Sequence, residues 1–290
     1  MHTPSVLSKC ILMMVLFRSV DAVCQPQNIE DLLLARDGCL GEASTGLCPK
    51  FAARLNSNGC CLSNTCGANG FIGDWDVSRV KDMQRVFVSQ SDFNQNLNKW
   101  NTSQVTNMNQ MFNSAKSFNG IISSWNVAKV VNMNYMFTRT DAFDGDLSEW
   151  DVGAVTTMNQ MFYQAKAFTG GDLSKWNVEA VEDMGYLFDY AAKFNGNIGN
   201  WNVGKVKNMY ETFAAAYAFN GDISKWNTEK TTTMKYMFQR ARSFNHDLST
   251  WNVGKVTTMN NMFNHATKFN HSLCGGSWVE SAASVRNKEK

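Results

Sequence analysis

Apolar and polar positions along this chain recur as a block of about 25 residues rather than with the short period of one helix or strand. Tryptophan marks it: Trp75, Trp100, Trp125, Trp150, Trp176, Trp201, Trp226, Trp251 and Trp278 are spaced by 25 residues, except 26 at the fourth interval and 27 at the last. A period in the twenties means one small supersecondary unit per repeat. Each unit is too small to bury its apolar side alone, so the units stack as a solenoid. Eight copies run from about Gly70 to Leu273.

Inside a copy the pattern predicts two elements. Met158, Met161, Phe162 and Ala165 stand at i, i+3, i+4 and i+7, one apolar face of a short helix, and the positions recur as Met108, Met111, Phe112, Ala115 and as Met259, Met262, Phe263, Ala266. The residue before the first methionine is Asp82, Asn107, Asn132, Thr157, Asp183, Asn208, Thr233 or Thr258, each a favoured N-cap. Gln110, Gln160 and Glu211 complete a capping box in three copies. A Phe-Asn-Gly turn follows, as at Phe118–Gly120 and Phe219–Gly221, where glycine can take a left-handed conformation and end the helix. The next piece, such as Asp222–Asn227, is assigned to a strand pairing with its equivalents. Ile223 and Trp226 have opposite parity, so burying both needs a bend. The expected fold is therefore an α/β repeat solenoid, leucine-rich-repeat-like, of eight coils with a short strand and a short helix each.

Each regular column has a structural and a functional reading. A tryptophan column is expected to be core, since few surfaces carry that many exposed indoles; the alternative is an aromatic strip that stacks sugar rings. Asn101, Asn126, Asn177, Asn202, Asn227 and Asn252, with Asp76 and Asp151, are expected to form an internal ladder satisfying backbone groups rather than to hold a ligand. Asp146, Asp172, Asp222 and Asp247 share a column that could bind calcium, but Asn96, Ile121 and Asn197 interrupt it and favour turn-stabilising aspartates. His246, His265 and His271 lie in different columns and are expected to be surface histidines rather than a metal site. No paired carboxylates or nucleophile with its base break the repeat, so no catalysis, metal or cofactor is expected.

Composition adds a compartment. Lys9 precedes an apolar run from Ile11 to Phe17, and Ala22 offers a cleavage point, so residues 1–22 are expected to be a signal peptide. No other stretch reaches the ~20 apolar residues of a membrane span. Cys24, Cys39, Cys48, Cys60, Cys61 and Cys66 crowd residues 23–69, which predicts a disulfide-locked N-terminal cap. Zinc is the rival, disfavoured because that segment holds no histidine and no paired C-x-x-C. Residues 274–290 are expected to be a closing segment and basic tail. A net charge of +2 gives no argument for nucleic acid.

The columns Trp-Asn-Val, Val-Thr-x-Met, Met-Phe-x-x-Ala and Phe-Asn-Gly-Asp-Leu-Ser, recurring over some 200 residues, resemble the BspA-like leucine-rich-repeat surface proteins, in particular their mycoplasma-type Met-Phe variety. The resemblance implies a leucine-rich-repeat-like solenoid on secreted or surface-anchored proteins, some credited with adhesion to host or matrix proteins. It implies no catalytic residue. No C-terminal anchor is evident, so free secretion or retention by a partner is the expectation.

Variable columns are the expected functional surface. Arg79, Gln104, Lys129, Ala154, Ala180, Lys205, Lys230 and Lys255 form a mildly basic file, so Arg79, Lys129, Lys205, Lys230 and Lys255 are candidate contacts for an acidic glycan or protein. Of two N-x-S/T sequons, Asn270 is preferred for glycosylation because Asn101 falls in the presumed internal ladder. The whole reads as a secreted, non-catalytic module binding extracellular protein or glycan; the alternative is a self-associating cell-coat or matrix protein. Cys274 is left without a partner if the six N-terminal cysteines pair. A dimer linked through Cys274 would run on a non-reducing gel at twice the monomer mass and collapse on reduction. Monomer migration would exclude it.

Overall fold

In the computed structural model the described residues are 28–40, 72–273 and 277–280. The signal segment, Cys24, Cys48, Cys60, Cys61, Cys66 and Cys274 lie outside them, and with them the disulfide cap. What is described at the N-terminal end is a helix, α1 (Ile29–Leu40), followed by a 3-10 turn at Ile72–Asp74; α2 (Ser277–Glu280) lies at the other end. Leu32 of α1 is fully buried, and Ile29, Leu33 and Leu40 pack on the core. Arg36 donates from its guanidinium to the carbonyls of Arg85 and Val86 in the first coil, so a helix covers the first coil as a solenoid end requires.

Between the ends the chain winds as eight stacked coils, and the expected helix is absent. Residues 108–115 form consecutive turns: Met111, Asn113 and Ala115 each donate N–H to a carbonyl three residues back. Met108, Gln110, Phe112 and Ser114 instead donate to Asn132, Asn134, Met136 and Thr138 of the next coil, at 2.8–3.0 Å. Half of the amide groups therefore run along the solenoid axis, where a helix would keep them within the segment. Sixteen non-glycine residues, two per coil, have φ between 50 and 62°, for example Gln110 and Ser114, or Gln160 and Gln164. The i, i+3, i+4, i+7 pattern is met because alternate turns also return Met, Met, Phe and Ala to one side, and all four are buried.

The strand is also displaced. Parallel bridges link Asp82, Asn107, Asn132, Thr157, Asp183, Asn208, Thr233 and Thr258, one residue per coil, at the position read as an N-cap. These side chains still cap locally: Asp82, Asn107, Asn132, Asp183 and Asn208 each accept the N–H two residues on. The capping boxes do not form, since the Gln110 backbone donates to the next coil. In the tryptophan segment a turn replaces the strand. Trp226 N–H donates to Ile223 O, which supplies the bend that buries both side chains despite their parity. A bridge appears there only at Asp172 and Asn197 among the described residues.

The core is three aromatic files. Trp75 to Trp251 are at most 3% exposed. Phe87, Phe112, Phe137, Phe162, Phe188, Phe213, Phe238 and Phe263 stack in one uninterrupted file with centroids 5.4–5.7 Å apart. Each stacks inside its own coil on a second phenylalanine, as Phe112 on Phe118 at 4.0 Å, and these second phenylalanines, from Phe93 on, make the third file. Such offset pairs add about 0.5–1.5 kcal/mol each to area burial. The glycines of Phe-Asn-Gly do not adopt positive φ; Gly120 is required because a Cβ would lie 1.9 Å from the Gln95 carbonyl oxygen. Gly170 and Gly171 are the glycines that do, at φ 87 and 50°, and they absorb the extra residue of the 26-residue interval.

Because Gln110 and Gln160 sit at positive φ, glycine there should raise stability by about 0.5–1 kcal/mol and valine should lower it by roughly 1–2 kcal/mol. A helix would reverse the glycine effect, costing about 1 kcal/mol. Urea unfolding of the single variants distinguishes the two.

Candidate functional site

The basic file expected from the sequence exists in space but not as a uniform patch. Arg79, Lys129, Lys205, Lys230 and Lys255 are exposed at one position per coil. Gln104, Ala154 and Ala180 interrupt the file, and Lys129 donates to Gln104 Oε1. Glu182 faces it: its pairing with Lys207 at 2.7 Å, with Lys205 and Lys230 adding, holds its carboxyl below the usual range. The asparagine column is a correction. Asn101, Asn126, Asn177, Asn202, Asn227 and Asn252 do satisfy backbone, each accepting the N–H two residues on, but they are exposed and not internal. The reason for preferring Asn270 over Asn101 therefore falls, as both are exposed.

An asparagine file that does cross between coils lies in the Phe-Asn-Gly turns, where Asn94, Asn119, Asn195, Asn220 and Asn245 each accept the N–H one coil on. Asp146, Asp172, Asp222 and Asp247 hold turns: each accepts the N–H of the serine two residues on, and hydrogen bonds from that serine keep the carboxyls below the usual range, the hydroxyl leading at Asp172 and Asp222 and the N–H at Asp146 and Asp247. His246 and His271 each hydrogen-bond through Nε2 to the carbonyl of Asn220 or Asn245 and do not converge. Among the described residues no group of three or more His, Cys, Asp or Glu is placed to hold a metal, and no helix is long and apolar enough to cross a membrane.

A second surface went unread in the sequence. The Met-x-x-Met-Phe-x-x-Ala turns bury Met, Phe and Ala and leave most of the x positions at or near the surface, so eight coils show eight different sets on one regular backbone. On the central coils these positions hold tyrosine. Tyr163 and Tyr186 meet edge to face at 6.3 Å, Tyr186 and Tyr210 lie 4.9 Å apart, and Tyr210 and Tyr236 meet at 6.0 Å. Lys235 places its ammonium 4.8 Å from the Tyr236 centroid and 6.0 Å from that of Tyr210. Tyr190 is 39% exposed. Beside this strip a recess of about 440 Å³ is lined by Ser114, Lys116, Arg139, Asp141, Gln164 and Lys166. The signal was available: within the Met-Phe block these columns vary most while their neighbours are nearly constant.

Asp189 is set among the tyrosines at 2% exposure. Six other polar residues are buried among the described ones, Thr102, Thr138, Thr140, Thr212, Thr228 and Thr231, and each donates its hydroxyl to a backbone carbonyl. Asp189 Oδ1 has no partner. Burial, and next the charge of Glu211 and the hydrogen bond shared with it, push the Asp189 carboxyl up to about 8. Desolvation followed by Glu211 also raises the Tyr210 phenol. The acid thus stays protonated at neutral pH beside a second carboxyl and tyrosine hydroxyls.

Stacked coils with an invariant aromatic core and a variable outer face define a repeat solenoid. The chain belongs to the family described as "Mycoplasma protein of unknown function, DUF285", which matches residues 61–171 and again 168–278. This bears out the resemblance to the BspA-like, mycoplasma-type 25-residue repeat. No curated protein matches. Solved structures with some likeness include a leucine-rich repeat protein from Eubacterium ventriosum, 12% identical, covering 69% of this chain and 44% of that one with TM-score 0.36. The Toll–Spatzle complex of Drosophila is also 12% identical, covering 69% of this chain and 29% of that one with TM-score 0.28. The chain thus spans less than half the length of either.

An Asp whose folded value lies above its unfolded one is protonated in the fold when the unfolded chain has already ionised. Asp189 therefore removes stability as pH rises from about 4 towards about 8. Asp189→Asn should flatten that decline and raise stability above pH 8 by a few kcal/mol, on the order set by 1.4 kcal/mol per pKa unit. Thermal melts of both proteins across this range check it.

Proposed function

We propose that this protein is an exported, non-catalytic recognition module that binds an extracellular protein or glycan through the variable columns of its coils. What supports this is the contrast between backbone and display. Turns hydrogen-bonded coil to coil hold x positions at fixed spacing, and most of those positions carry partly or fully exposed side chains that differ from coil to coil. Tyrosine supplies amphipathic contact area at low entropic cost, which suits a binding surface. The tyrosine strip is therefore a stronger candidate than the interrupted basic file at Lys205, Lys230 and Lys255.

A self-associating coat or matrix protein is the second reading. It draws on the last coil, where the N–H groups of Met259, Asn261, Phe263 and His265 have no acceptor among the described residues, although their equivalents bond the next coil.

Full-length protein from an oxidising host, applied to arrays of glycans and extracellular proteins, tests the first reading. Saturable binding is expected. It should drop at least about tenfold in a Tyr186→Ser, Tyr190→Ser variant, following the usual cost of losing interface aromatics. It should change little on charge reversal at Lys205, Lys230 and Lys255. Silence on both arrays with concentration-dependent assembly would put the coat reading first.

A further inference from the structure

A buried polar oxygen without a partner costs about 1–3 kcal/mol, and native proteins keep few of them. Asp189 Oδ1 is one of three buried polar atoms without a partner among the described residues, with Trp75 Nε1 and Asn109 Oδ1, and it is the one that belongs to a carboxyl. Its surroundings come from three coils. The preceding coil contributes Tyr163, whose hydroxyl accepts a hydrogen bond from Gln164 Nε2 at 2.8 Å. Its own coil contributes Tyr186 and Tyr190. The following coil contributes Tyr210 and Glu211, and carries the buried Ala214 and Ala215 in the columns of Asp189 and Tyr190. Glu211 and Asp189 are the carboxyls here, Tyr163, Tyr186, Tyr190 and Tyr210 are the other titratable groups on these coils, and the Lys235 ammonium of the coil beyond stands 6.0 Å from the Tyr210 centroid.

We propose that Tyr186, Tyr190, Tyr210, Glu211 and Asp189 form a binding site for a cationic side chain, lysine or arginine, of a protein partner. The inference rests on the recognition reading and names its ligand chemistry. The molecule itself shows how this surface treats a cation: one coil on, Lys235 lies over Tyr210 and Tyr236, and Arg242 lies over Tyr217 at 4.9 Å. Ring faces attract cations, by about 0.5–2 kcal/mol depending on desolvation. Among the described residues no lysine or arginine is recorded over Tyr186 or Tyr190. Glu211, half-buried, gives the incoming cation its first anion. Asp189 behind it gives the second by releasing its proton to solvent, so that two carboxylates face one cation and the orphan oxygen gains a partner.

The coupling sets a sign. Cation binding favours ionised Asp189, so affinity should strengthen as pH rises towards the value at which the free acid ionises, by at most tenfold per pH unit. Lysine keeps its charge there. A neutral sugar that used protonated Asp189 as a donor would show the opposite trend.

Full-length protein is titrated, by NMR shifts of its tyrosine rings, with a Gly/Ser peptide carrying one lysine, with the same peptide Nε-acetylated, and with a neutral oligosaccharide. The lysine peptide should bind, and roughly tenfold more tightly near pH 8.5 than near pH 6.5; the acetylated peptide should lose at least about tenfold with its charge. Glu211→Gln should weaken the lysine peptide by a similar factor, and Asp189→Asn should remove the pH dependence. If Asp189→Asn fails to fold, Glu211→Gln and the pH trend of the native protein decide alone. Equal binding of the acetylated peptide, preference for the neutral oligosaccharide, or no binding of the lysine peptide overturns the site. If the arrays still yield a partner, only this inference fails; if they are silent too, the recognition reading fails with it.

Discussion

The indole N–H of each tryptophan is the constraint from which the rest of the solenoid follows. A buried donor must find an acceptor. Trp125 Nε1 finds Leu97 O of the preceding coil at 2.9 Å, and Trp100, Trp150, Trp176, Trp201, Trp226, Trp251 and Trp278 do the same with their equivalents. That carbonyl already accepts the N–H of Trp100 in its own turn, so both of its lone pairs are used. One residue thus closes a turn and fastens the next coil to it. Trp75 has no described coil before it, and its Nε1 is unpartnered among the described residues.

The tie survives the one irregular interval. Trp150 and Trp176 are not paired in a ring stack as their neighbours are, yet Trp176 still donates to Leu147 at 2.9 Å. Gly170 and Gly171 take up the added residue at positive φ, outside the aromatic files, and the phenylalanine stack passes through without a gap. The coils are therefore held in register by hydrogen bonds along the axis and by ring contacts, not by long paired strands. Such an arrangement lets the side chains at the x positions of the Met-x-x-Met-Phe-x-x-Ala turns vary, because the axial hydrogen bonds are made by their backbone. The aromatic files and the axial hydrogen bonds continue through the fifth coil even though it buries an acid, Asp189, at a cost in stability.

Repeat number, coil boundaries and the core were legible in the chain. Indoles and phenyl rings must leave water whatever the local backbone does, and the 25-residue period alone places them in files. The turn role of Asp146, Asp172, Asp222 and Asp247 was legible for a similar reason: short acceptors bond the nearest N–H. The helix was misread because periodicity reports which side chains share a side, not which carbonyl each N–H reaches. Two turns with alternating φ put Met108, Met111, Phe112 and Ala115 on one side just as a helix does.

By itself, then, the sequence determined the solenoid, its aromatic interior and the family to which the chain belongs, since these depend on the spacing of apolar residues, which the chain carries openly. The tertiary structure was needed to show that the coils are turns, that the Asn101 column faces water, and that tyrosines of successive coils meet in one strip. It alone brought Asp189 to Glu211, 22 residues away in sequence but one coil away in space. Hydrogen-bond direction and burial of a single carboxyl are set by the neighbouring coil, and no window of the sequence contains that neighbour.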